Sequence, residues 1–193
     1  MSNPTNNRTM TTKNLAYCAL LAALSVVLAR LIIPMPNATT RFSIEAVPIF
    51  LAGMLFGPMA GGLVGFCADF VGALFSGYGF NPLFCLPPIL YGVFGGVFRY
   101  YLGKKISVIR LGLAFLVPVV VGSILWQSAA LSFVYNSKGS FQASLIYFLS
   151  TRTVQFAVTL VLDVLVIYLL TRTGVFERIG VWPPVKKEKN TIS

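Results

Sequence analysis

Residues 154–170 read VQFAVTLVLDVLVIYLL. The run carries one charge, Asp163, and no alternation of polar and apolar side chains. Strands of a membrane barrel alternate over segments of about ten residues, so this run predicts a helix. A helix needs about 20 apolar residues to cross the hydrocarbon. Extended upstream to Phe141, the segment exceeds that length. Its natural solvent is lipid.

The rest of the chain agrees. Of 193 residues, 56% are hydrophobic and 10% charged, and the mean hydropathy is +0.81. Soluble domains carry about 25% charged residues, so a water-soluble fold and a disordered chain are both excluded. Five further apolar segments precede the first, at residues 15–33, 46–57, 60–76, 83–102 and 111–135. Together they predict an all-α integral membrane bundle of six transmembrane helices over 15–171. A polar tail (1–14) precedes the bundle and a basic tail (172–193) follows it. Segments two and three are too short to span upright. They are expected to be broken or deeply embedded helices, which proteins accommodate where backbone lines a cavity.

Charge sets the orientation. Six spans put both termini on one side. That side carries Arg8, Lys13, Arg99, Lys104, Lys105, Arg110, Arg172, Arg178, Lys186, Lys187 and Lys189. The opposite face carries Arg30, Arg41 and Lys138. The positive-inside rule then places both termini in the cytoplasm. A basic tail beside a span faces anionic membrane lipid, and no nucleic-acid partner is expected.

The missing chemistry narrows function. The chain has no histidine and five acidic residues, which removes most routes to a metal site or a general base. No metal or cofactor is expected. Cys18, Cys67 and Cys85 lie in apolar segments and read as buried small hydrophobes. No phosphate-binding glycine loop with its lysine is present, so the chain does not hydrolyse ATP. No serine or cysteine is well placed beside a lysine or aspartate, which disfavours an intramembrane enzyme.

The polar residues inside the spans are the informative ones, because such groups in hydrocarbon usually mark a site or an internal pair. Asp69 in segment three, Trp126 and Gln127 in segment five, and Arg152 in segment six all fall in the outer half. At 1.5 Å per residue they sit roughly 10–16 Å deep. Arg152, Gln155, Thr159 and Asp163 share one face of the last helix, as Ser123 and Gln127 do on the fifth. The pattern suits a cavity open to the outside, though an ion pair between Arg152 and an acid fits it too. Asp163, deeper in the span, reads as structural. The outer loops add Arg41, Tyr78, Phe80 and Asn81, a mixture suited to a ligand pocket or an aromatic belt. Gly61-xxx-Gly65 and Gly92-xxx-Gly96 fit close helix packing. Ala19-xxx-Ala23 gives the first helix a small face, open to another membrane protein or to a neighbour in the bundle.

The stretch RFSIEAVPIF (41–50), then GMLFGP (53–58) and Gly61-Gly62, resembles the substrate-binding subunits of energy-coupling factor vitamin transporters. ADFVG (68–72) with GYGFNP (77–82) is similar to the folate-specific members. The resemblance implies a six-helix protein of the bacterial cell membrane that captures a folate-like molecule from outside. It implies a transmembrane coupling subunit and two cytoplasmic ATPase subunits as partners, with the Ala19 and Ala23 face docking on the former. Folate chemistry suits the polar residues. Asp69 could accept the adjacent N–H donors of the pterin, Trp126, Tyr78 or Phe80 could stack on the rings, and Arg152 or Arg41 could take a carboxylate or the pterin oxygen. A pantothenate or pyrimidine binder of the same class shares every global feature.

Overall fold

The computed structural model describes residues 12–30, 33–34, 41–42, 44–76, 79–104, 106–134 and 140–178. Its helices are α1 (Thr12–Leu28), α2 (Ala46–Phe56), α3 (Pro58–Ser76), α4 (Pro82–Val97), α5 (Arg99–Lys104), α6 (Val108–Pro118), a π-helical stretch π1 (Val119–Trp126), α7 (Gln127–Val134), α8 (Phe141–Arg172) and α9 (Val175–Arg178). A two-residue antiparallel pair, β1 (Ile33–Pro34) and β2 (Arg41–Phe42), joins α1 to α2, and β2 rests on α8. Among the described residues, three helices are long and apolar enough to cross a membrane: 58–75, 108–134 and 141–172. Shorter apolar helices fill the remainder.

The sequence shows why the elements begin and end where they do. Gly57 has φ +103°, a conformation that L side chains avoid, and Pro58 opens α3 at the position where a missing N–H does no harm. This Gly-Pro corner separates α2 from α3. Asn81 caps α4, its Oδ1 accepting from the Leu83 N–H at 3.1 Å. Ser140 caps α8, accepting from the Ala143 N–H at 3.3 Å. Pro118 ends the regular α6, and the helix widens into π1 directly after it. Proline removes an i→i−4 bond and π segments accommodate the mismatch.

Segment three differs from expectation. As α3 it begins at Pro58 and is long enough to cross. Segment two is embedded as expected, with every residue of α2 from Ala46 to Leu55 buried. Segment four breaks at Phe98 into α4 and α5.

The core lies where α2, α3 and α4 meet. A Cβ on Gly92 would strike the Gly61 carbonyl and lie 2.8 Å from the Gly62 nitrogen. A Cβ on Gly65 would meet the Pro88 carbonyl, and one on Gly96 the Pro58 backbone. The two GxxxG motifs therefore serve one interface, in which backbone touches backbone without intervening side chains. Beside it Phe115 packs at a tilt against Phe50 and Tyr91, with centroids 4.8 and 5.2 Å away.

Candidate functional site

Two polar regions share α4. The first is an open cleft of about 290 Å³ between α1, α3 and α4. Ser25, Arg30, Glu45, Asp69, Asn81 and Phe84 line it, among others. The Ser25 hydroxyl donates to the Glu45 carbonyl at 2.8 Å, and Arg30 Nη2 donates to the Gly72 carbonyl at 2.7 Å. The Cys85 thiol lies beside the Asp69 carboxyl. Cys85 is buried, as the sequence suggests, whereas Cys67 is exposed on the outside of α3.

The second region is a buried seam between α4, π1 and α8. The hydroxyls of Tyr91 and Ser123 bond each other at 2.8 Å. Facing them, α8 presents Arg152, Gln155, Thr159 and Asp163 at intervals of three and four residues. Gln155, Thr159 and Asp163 are buried. The Arg152 guanidinium lies over the Phe156 ring, 5.5 Å from its centroid, and interacts electrostatically with Tyr91. Its buried Nη1 has no hydrogen-bond partner among the described residues, and neither has Asp163 Oδ1. Glu45 belongs to both regions. It lines the cleft and interacts electrostatically with Asp163 and Tyr91.

The expected residues thus divide. Asp69 and Asn81 go to the cleft, where the Asn81 oxygen is already engaged in capping α4. Arg152 lies in the seam. Asp69 lines the cleft instead, so the acid and the base expected at one level serve different walls. Gln127 begins α7 at the C-terminal end of π1 and is half-buried. Phe80 packs edge-on against Phe66 and Phe70 on the outer face of α3, with centroids 6.4 and 5.3 Å away. Tyr78 lies outside the described residues. Arg41 is described by its backbone alone, paired with Pro34.

Trp126 has a structural task that its type concealed. Its Nε1 donates to the Leu83 carbonyl at 2.8 Å. In a regular helix that carbonyl would receive the N–H of residue 87, but residue 87 is proline and has none. The indole supplies the missing donor. Because Trp126 is still 41% exposed, its ring face remains open for contact. Sequence reasoning missed Arg30, Glu45, Ser25 and Phe84, and it took Asp163 as structural. The Leu83–Pro87 spacing was the available signal for Trp126.

Ala19 and Ala23 are exposed on α1, beside Leu15, Leu20 and Leu24. The small face is therefore turned away from the bundle.

The bundle with interior polar groups is a multi-pass membrane binding protein, and its relatives specify the class. A family model described as "ECF-type riboflavin transporter, S component" matches residues 9–172, and the chain belongs to this family of transporter S components. These are components of transporters and not enzymes.

Among its relatives, the Folate transporter FolT of Clostridium novyi (strain NT) is 33% identical over 99 residues. That match covers 51% of this chain and 56% of the relative, so the chain spans about half the length of the curated relative it matches. A crystal structure of FolT bound with folic acid superposes with a TM-score of 0.70 at 28% identity, covering 84% of this chain and 96% of the other. The S component for biotin from an ECF-type ABC transporter shares the fold, with a TM-score of 0.61 at 22% identity, covering 88% of this chain and 98% of the other.

Proposed function

We propose that this chain is the folate-capturing S component of an ECF-type transporter in a bacterial cell membrane. In this reading the bundle has six spans, with both termini in the cytoplasm and the ligand entering from outside. Of the charges behind that orientation, Arg8, Lys105, Lys138, Lys186, Lys187 and Lys189 lie outside the described residues.

One observation carries the choice of ligand. Arg152 holds a buried guanidinium nitrogen without a hydrogen-bond partner among the described residues. A buried cation is costly unless it is paired, so an anionic ligand completes this seam. Folate, with two carboxylates on its glutamate tail, supplies the anion, and guanidinium forks match carboxylates. Trp126 and Gln127 border the Arg152 end of the seam. Asp69 and Asn81 in the cleft form the outer approach, together with Phe80, Tyr78 and Arg41. A transmembrane coupling subunit meets the exposed Ala19–Ala23 face, and two cytoplasmic ATPases drive release.

The family model's description favours a second reading, riboflavin. Riboflavin is uncharged and leaves Arg152 unpaired. Calorimetric titration of the purified chain with folic acid, riboflavin and biotin decides. Folic acid is expected to bind most tightly, and Arg152→Gln to weaken it by about ten- to a hundredfold, the range for a hydrogen bond to a charged group. Tighter binding of riboflavin, or an Arg152→Gln variant with unchanged folic acid affinity, overturns the reading.

A further inference from the structure

Asp163 is the most deeply buried ionisable group described, with 1% of its surface exposed. A carboxyl placed there for structure alone would have its oxygens hydrogen-bonded, since buried polar groups in native proteins nearly always are. Its Oδ1 has no partner among the described residues. Arg152 cannot neutralise it. The two are eleven residues apart on one face of α8, which is about 16 Å along the axis. Asp69 is a weaker candidate for the same role, because it lines the open cleft and not the buried seam.

The opposite wall adds a second observation. Tyr91 and Ser123 bond each other, so one of their two hydroxyl hydrogens is consumed in that bond and the other is left to point elsewhere. Ser123 stands in π1, an irregular stretch of a kind that recurs at functional sites. The seam therefore has an unfilled donor at its outer end and an unfilled acceptor at its inner end. Both lie on the same helix face, with hydroxyls alongside.

We infer that Asp163 is the inner anchor of the ligand site. It accepts adjacent N–H groups from the edge of a nitrogen heterocycle, while Arg152 holds the anionic end of the same molecule nearer the outside. The site selects an extended ligand with a donor-rich ring edge at one end and a carboxylate at the other. Folic acid has this form. The inference rests on the capture of a folate-like vitamin and goes further, because it fixes which end enters first and which residue reads the ring.

The test compares folic acid with an analogue in which methyl replaces the ring 2-amino group, titrated into the purified wild-type chain, Asp163→Asn and Asp163→Leu. The wild type is expected to prefer folic acid by at least about tenfold, since a site built to bond a donor rejects a ligand lacking it. Both variants should bind folic acid at least about tenfold more weakly and lose the preference for it over the analogue. Their melting temperatures without ligand should equal or exceed that of the wild type, because an unsatisfied buried carboxyl has been removed. If Asp163→Leu does not fold, Asp163→Asn decides. Failure of the wild type to bind folic acid overturns the vitamin reading and this inference with it. Normal folic acid binding with the preference retained in the variants overturns the role of Asp163 alone.

Discussion

Gly92→Ala adds a single methyl to α4 and tests the packing of the whole bundle. The new Cβ would strike the Gly61 carbonyl and lie 2.8 Å from the Gly62 nitrogen. Carbon prefers separations of about 3.5–4.0 Å, so α3 and α4 must part by roughly 1 Å. Both neighbours are backbone, and no side chain can rotate away. Overpacking typically costs about 1–3 kcal/mol, and here the value should fall at or above the upper end. Gly112→Ala makes the matched control. Its Cβ would meet nothing within 4 Å, and alanine is favoured over glycine in a helix by roughly 0.5–1 kcal/mol. The two identical chemical changes should move stability in opposite directions. Thermal unfolding of both variants in one detergent measures this, and Gly92→Ala should melt several degrees below the wild type. A Gly92→Ala variant as stable as Gly112→Ala would refute the backbone contact between α3 and α4.

Further outcomes follow from other contacts. Trp126→Phe should lose about 0.5–1.5 kcal/mol of stability, the net worth of one hydrogen bond, because Leu83 then loses its indole donor; unchanged unfolding temperature would mean that water replaces the indole. Ala19→Trp and Ala23→Trp should abolish vitamin uptake by cells expressing the full transporter while the isolated chain still binds ligand; normal uptake with both replacements would rule out docking through α1. Asp69→Asn should weaken folic acid binding measurably in calorimetric titration without changing the melting temperature by more than a few degrees; unaltered affinity would remove the cleft from the path of the ligand.

Much of the fold was legible because lipid imposes simple rules. Runs of apolar residues located the helices, and Gly57-Pro58 marked a corner that only glycine tolerates. The paired GxxxG motifs were visible, but their mutual contact was not, since spacing within a helix says nothing about its neighbour. The break at Phe98 and the π stretch after Pro118 were hidden because they depend on how successive turns pack. Site residues were harder. Asp69 and Arg152 have similar depths along their helices, yet depth leaves rotation about each axis undetermined, and the structure sends them to different walls. Glu45 escaped notice because it stands at the end of a segment, where charges are ordinary. Depth alone reads Asp163 as structural, and the structure adds that its Oδ1 has no partner among the described residues.

The glycine interface also has a mechanical consequence. Where α2, α3 and α4 touch through bare backbone, no side-chain rotamers exist that could absorb a displacement, so these three helices behave as a stiff frame. By contrast, α8 buries few of its 32 residues and forms one whole wall of the seam. On the proposed reading, a vitamin entering the seam displaces this wall before the frame.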